Sequence, residues 1–233
     1  MTTEISHIRS MLINLATAKD KRNYFFKTGV GDYAEHDQFI NVSVPVLRKI
    51  TKQFSDLSSD NIQQLLTSSF NEERLLALFI LVQQYQKSND NNKNELYQLY
   101  INNIKYVNNW NLVDASAHLI LGAHIIHKDK DILITLARSN NLWKRRIAIV
   151  ATWYFTRLNE CEWTFKIALL LLTDTHDLIH KSVGWMLREA GKKSTPLLID
   201  FLDIYAKQMP RTMLRYAIEK LPEQQRKLYM IRN

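Results

Sequence analysis

Apolar residues recur at three- and four-residue intervals along almost the whole chain, the spacing that lines one face of an α-helix. Ile62, Leu65 and Leu66 give one such arc, and Leu75, Leu78, Phe79 and Val82 give another. Runs that alternate apolar with polar residues, as a half-buried strand would, are hard to find. Punctuation is sparse as well: five glycines and four prolines in 233 residues leave few places for hairpin turns. The pattern predicts an all-α chain.

Four predicted helix starts look alike. Asn71 precedes EERLLALFILV, Asn111 precedes LVDASAHLI, Asn141 precedes LWKRRIAIV, and Asp177 precedes LIHKSVGWML. Each offers a short polar side chain suited to cap the open amides of a first turn. The starts recur about every 30 to 40 residues, close to a two-helix repeat. ELYQLYINNI, KDILITLARS and EWTFKIALLLL read as the partner helices between them. The expectation is a HEAT-like helical-repeat solenoid, one domain over residues 1–233, with a concave basic groove. Because the spacing is irregular, a non-repetitive helical bundle is the alternative.

Near the N-terminus, YFFKTGVGDYAEHDQFINVSVPVLRK holds two close glycines and then Ser43 and Pro45, suited to open a helix around Val44. The stretch from Gly29 to Gln38 is the least helical part of the chain, either a plain connection or a loop that contacts a ligand. SNDNNKNE (88–95) reads as a polar turn between helices.

Composition narrows the function. Lys and Arg outnumber Asp and Glu by 31 to 23, a net charge of +8, which favours a polyanionic partner, nucleic acid ahead of an acidic protein or membrane surface. The single cysteine, Cys161, excludes an intrachain disulfide framework and any multi-cysteine zinc site, and fits a reducing cytoplasm. The longest apolar run, LLALFILV, is too short to span a bilayer, and MTTEISHIRSMLINL lacks the continuous core of a signal peptide. No glycine-rich phosphate cradle is present, so nucleotide-dependent chemistry is disfavoured and no cofactor is expected.

Several polar residues sit where periodicity would place apolar ones. Asp114 lies one turn after Trp110 on an otherwise apolar helix, in line with Ala117 and Leu121. Arg146 projects into the apolar arc of a predicted 141–157 helix, and a buried guanidinium needs a partner because arginine cannot neutralise itself. Asp114 is the natural candidate for that partner. On the 177–190 helix Ile179, Val183, Met186 and Leu187 form the core face, while Lys181, Trp185 and Arg188 follow a stripe on the other side. An indole between cations suits nucleic acid, and it equally suits a ring covering a neighbouring helix beside two solvated charges. His124 and His127 lack further ligands at metal spacing and read as surface or interface residues, with no metal site expected. Cys161 reads as a small packing residue, and Glu72 and Glu73 as acidic residues favouring a helix N-terminus.

NWNLVD (109–114), NLWKRRIAI (141–149), HKSVGWMLREAGK (180–192) and RTMLRYAIEKLP (211–222) together resemble the AlkD-like DNA alkylation-repair glycosylases, built from HEAT-like repeats. The resemblance covers nearly the whole chain. It implies a Trp–x3–Asp pair, an Arg on a following repeat and a Trp in a GW-x-LRE segment, all lining a DNA groove; these match Trp110 and Asp114, Arg146, and Trp185. Asn111 and Asn109 depart from the family pattern. The implied activity is excision of cationic alkylated purines such as 7-methylguanine or 3-methyladenine from double-stranded DNA by a cofactor-independent monomer. Asp114, Trp110 and Trp185 would be catalytic, Arg145, Arg146, Lys181 and Arg188 would contact phosphates, and no deep pocket for an extruded base would be needed. The rival expectation is a HEAT-like DNA-binding or protein-interaction scaffold without catalysis.

Overall fold

The computed structural model describes residues 3–17 and 25–231. Tyr24, which heads the glycine-containing segment read above, lies outside the described residues, as do Met1 and Thr2. The fold is all-α; among the described residues the sole strand-like contact is an isolated parallel bridge between Gln38 and Phe70. None of the described helices is long and apolar enough to cross a membrane. The chain divides into two compact units, Met1–Ser116 and Ala117–Asn233.

The first unit holds α1 (Thr3–Asn14), α2 (Val44–Gln53), α3 (Ser59–Leu66), α4 (Asn71–Lys87), α5 (Asp90–Asn102) and α6 (Trp110–Ser116). Helix α4 is its axis. Apolar residues surround LLALFILV, so this helix is buried on every side and α2, α3, α5 and α6 all pack on it. Even its acidic first turn is inside: Glu73 takes two hydrogen bonds from the Nε of Arg9 on α1 and one from its Nη2, each 3.1 Å. Glu72 accepts from the backbone N–H groups of Ile40 and Asn41. The two glutamates therefore tie distant chain to α4 as well as suiting the helix dipole.

The second unit opens with a π-helical turn, His118–Gly122, then α7 (Ala123–Ile125), α8 (Asp131–Ala137), α9 (Leu142–Ala151), α10 (Trp153–Arg157), α11 (Glu162–Leu170), α12 (Asp177–Lys193), α13 (Thr195–Tyr205), α14 (Arg211–Ala217) and α15 (Glu223–Ile231). Here α12 is the axis, packed by α9, α10, α11, α13 and α14. Its face of Ile179, Val183, Met186 and Leu187 is buried, as the spacing predicts. Gly184 sits where α14 crosses: a Cβ there would lie 2.5 Å from both the Met213 carbonyl oxygen and Tyr216 Cβ.

The helix starts follow the expected caps in one case of the four. Asn141 caps α9, its Oδ1 accepting from Trp143 N and Lys144 N. Asn71 and Asn111 are instead the first residue of α4 and the second of α6, their side chains drawn into a buried polar cluster. At α12 the cap is His176, whose Nδ1 accepts from Leu178 N, and Asp177 is the first helical residue. SNDNNKNE is no simple turn either, since Asn89 caps α5 and the helix begins at Asp90. Ser43 and Pro45 do open α2. The expected 141–157 helix breaks at Thr152, whose hydroxyl donates to the Ile149 carbonyl at 2.7 Å.

Replacing Gly184 by Ala forces α12 and α14 apart at two backbone-proximal contacts. The expected loss is about 1–3 kcal/mol of unfolding free energy in urea denaturation, against which an unchanged midpoint would show that the crossing tolerates a methyl group.

Candidate functional site

Trp110 and Asp114 lie four residues apart on α6, hence on one helical face, and that face opens on a cavity of about 710 Å³ in the first unit. Aromatic rings supply much of its lining. Phe26 stacks on Trp110 with ring centroids 5.3 Å apart and planes 24° apart, and Phe39 lies against Phe26 at 4.8 Å. Phe79 from α4 adds a further ring, with the guanidinium of Arg48 over it at 4.5 Å. Asp114 is half-buried at this lining, so a carboxylate is held beside indole and phenyl surfaces instead of behind packed helices.

A polar cluster under the cavity sets the position of α6. The carboxylate of Asp37, from the loop after Gly31, pairs with Arg74 on α4, and both side chains are 4% exposed. The same carboxylate accepts from Asn71 Nδ2 at 2.9 Å and from Asn109 Nδ2 at 2.6 Å. Asn109 in turn takes the first amide of α6, Trp110 N, on its Oδ1 at 2.7 Å, while Asn111 Nδ2 donates to Asn71 Oδ1 at 2.7 Å. Loop, α4 and the start of α6 are thus held by one anion and its donors. At the other end of α6, the hydroxyls of Ser116 and Tyr100 share a buried hydrogen bond, and burial pushes the Tyr100 phenol well above its ordinary pKa. Glu72, holding Ile40 N and Asn41 N, fixes the loop's exit, where Asn41 takes a left-handed conformation at φ 70°.

The remaining expected site residues belong to the second unit. Trp185 is half-buried, and its ring meets Trp153 edge-on at 5.0 Å. Trp153 rests on His118 of the π-helical turn at 4.5 Å. His118 is buried, its Nδ1 has no hydrogen-bond partner, and burial, helped by the Arg157 charge, lowers its pKa to about 4. Neutral imidazole is therefore the working form, an aromatic support for Trp153.

The expected phosphate-binding cations all have protein partners. Arg146 is 5% exposed, donating from Nη1 to the Leu178 carbonyl at 2.6 Å. Arg145 donates to Asp174 at 2.6 Å and to the Ser139 carbonyl at 3.0 Å. Arg188 pairs with Glu189 and Glu219. Lys181 pairs with Asp177 at 2.7 Å, and both side chains are about half open to solvent. Trp185 does cover a neighbouring helix, through Trp153 of α10, while the two cations beside it each pair with a carboxylate, Lys181 in a solvent-exposed pair and Arg188 in a less exposed one.

Other sequence readings divide. Cys161 is buried, and burial raises its thiol pKa, as suits a packing residue. His127 is exposed, but His124 is buried, its Nε2 2.8 Å from Lys128 Nζ. Sequence reasoning passed over Asp37, Arg48, Phe26, Phe39 and His118. Asp37 lies in a loop without periodicity. The π-turn that carries His118 has no sequence signature beyond a helical run. The one available signal was the pair of asparagines flanking Trp110, departures that needed a buried partner.

Residues 8–221 match the sequence profile of a family described as DNA alkylation repair enzyme. Among solved structures, one described as a predicted DNA alkylation repair enzyme from Enterococcus faecalis superposes with a TM-score of 0.64 at 14% identity, covering 95% of this chain and 97% of the other. That likeness concerns the fold. No curated protein matches the chain.

Two outcomes follow from these contacts. Asp37→Ala leaves the Arg74 guanidinium buried without its carboxylate and should cost about 3–5 kcal/mol of unfolding free energy in urea; a loss below about 1 kcal/mol would show that the cluster is dispensable. For His118 the folded state lowers the pKa, so the unfolded chain takes up a proton first as pH falls. The stability that neutral His118 contributes is complete above its ordinary value of 6.5 and is lost on the way down to about 4. Urea denaturation across that window should show wild type losing roughly 3 kcal/mol more than His118→Phe; parallel curves would contradict it.

Proposed function

The chain belongs to the DNA alkylation repair enzyme family, and from that premise we propose that it is a monofunctional DNA glycosylase that hydrolyses the N-glycosidic bond of cationic alkylated purines in duplex DNA and leaves an abasic site. The observation that carries this reading is the Asp114 carboxylate beside the Trp110 indole on the lining of one cavity. A phosphate-binding surface alone has no use for a half-buried anion, which repels the DNA backbone.

Alkylation at a ring nitrogen puts positive charge on the purine, so the base leaves as a neutral molecule, carrying the bond electrons, with no acid to protonate it. The deoxyribose is left with oxocarbenium-like charge at its anomeric carbon. A carboxylate close by stabilises that charge, and water adds to the same carbon as its proton passes to a base or to solvent. Asp114 is assigned the electrostatic role and the orientation of water. Trp110 offers an indole face to the cationic sugar or base, an interaction of about 0.5–2 kcal/mol depending on desolvation, and Trp185 is assigned the same kind of contact. The reaction as written needs no metal or redox cofactor.

The net charge of +8 supplies the long-range attraction for DNA. Of the cations named, Lys181 is the one best suited to meet a phosphate, because exchanging its solvated Asp177 partner costs little. Arg145, Arg146 and Arg188 keep their protein partners and contribute positive potential.

The test is a base-release assay on duplexes with a single 7-methylguanine, run with wild type and Asp114→Asn. Wild type should release the base, and the variant should fall about a hundredfold or more in rate while binding DNA as before. Normal release by Asp114→Asn would sink the residue's role. DNA binding without release of any cationic base would leave a non-catalytic scaffold as the reading.

A further inference from the structure

We propose that Trp153 and His118 are positioning residues, which hold the Trp185 indole in one orientation for its contact with the damaged nucleotide. This rests on the glycosylase reading and on the contact assigned there to Trp185, and it adds two residues that act through that ring.

Three rings of the second unit follow one another. His118 is buried, Trp153 and Trp185 are half-buried, and successive centroids stand 4.5 Å and 5.0 Å apart. The two indole planes lie 62° apart, an edge-on pairing that aromatic quadrupoles favour, so Trp153 restrains the plane of Trp185 and does more than fill space beside it. That restraint matters for a cation–π contact, because the attraction belongs to the face of the ring. An indole fixed beforehand also loses no rotamer freedom when it meets substrate.

The rings below Trp185 are themselves anchored through the backbone. The π-helical turn that starts at His118 ends at Gly122, where a Cβ would clash with the Ala151 carbonyl oxygen and lie 2.9 Å from Tyr154 Cβ, so the turn meets the start of α10 at backbone contact. Trp153 is the first residue of α10, directly after Thr152, whose buried hydroxyl donates to the Ile149 carbonyl and accepts from Thr164 Oγ1 at 3.0 Å. Hydrogen bonding does not explain a histidine at the base of the series. Its Nδ1 is buried with no partner among the described residues, a cost that an aliphatic side chain would avoid. What the imidazole supplies is a flat, uncharged ring under Trp153; an imidazolium would set positive charge beneath an indole assigned to a cation.

The experiment uses the full chain and reads single-turnover base release from a duplex with one 7-methylguanine. Trp153→Leu and His118→Leu should each slow release about three- to thirtyfold, the range that loss of one cation–π contact gives, with affinity for undamaged duplex unchanged. His118→Phe, which restores a flat neutral ring, should stay within about twofold of wild type. His118→Leu also sheds the unpaired Nδ1, so its urea midpoint should hold while its rate falls; a midpoint that falls with the rate would make His118 a structural residue only. Trp153→Leu should cost nothing further in a Trp185→Leu background, because it acts through that ring. Losses that add, or full-rate release by both leucine variants, would overturn the proposal.

A second readout needs no catalysis. Indoles 5.0 Å apart couple and give an exciton couplet in circular dichroism, which Trp185→Phe should remove, His118→Leu should weaken and His118→Phe should keep. A couplet untouched by His118→Leu defeats the positioning and leaves the glycosylase reading intact. A wild type that shows this pattern of couplets yet releases no base from any lesion defeats the glycosylase reading and leaves the positioning of Trp185 standing.

Discussion

Burying the Asp37 carboxylate is the constraint on which the first unit depends. An anion this far from water is tolerated only with its full complement of donors, and three side chains supply them: Arg74, Asn71 and Asn109. Those donors come from two separate stretches of chain and Asp37 from a third. Satisfying one charge therefore fixes the loop after Gly31 against α4 and α4 against the first turn of α6. Because Asn109 also accepts the Trp110 amide, the face of α6 that carries Trp110 and Asp114 inherits its direction from this cluster. The two asparagines that depart from the family pattern are thus parts of the support under Trp110 and Asp114. Asn109 holds the anion, and Asn111 holds Asn71 beside it.

The second unit solves a similar problem with rings. Trp185, half exposed, is oriented by meeting the edge of Trp153, which rests on His118. Burial keeps that histidine neutral, so the support brings no charge under the indole. A π-helical turn, His118–Gly122, carries the histidine.

How much could be read in advance depended on whether the deciding contact was local. The all-α fold and the core face of α12 follow from periodicity, and Asn141 as a cap follows from the chemistry of its own next turn. Asn71 and Asn111 have the same local chemistry, yet stronger partners distant in sequence take their side chains. The same limit applied to the cations. Helical spacing put Arg188 on the face opposite the core, correctly, but could not reveal Glu219 from α14's trailing turn as its partner. Asp114 and Trp110 could be singled out as candidates because the family resemblance and the misplaced carboxylate pointed to the same helix, and the structure places both on the lining of one cavity. The aromatic cavity beside them could not be, since its rings come from the glycine-containing loop, α4 and α6.

In the proposed reaction, positive charge on the departing base is met by the Asp114 anion and the aromatic faces beside it. Charge selectivity in base release measures it most directly: matched duplexes carrying either 7-methylguanine or the neutral base hypoxanthine at one position, incubated with the wild-type protein. Release of 7-methylguanine with hypoxanthine retained is the expected result, because only the charged base can depart without an acid. Comparable release of both would contradict it, requiring a proton donor in the site and removing the reason for an anion among aromatic rings.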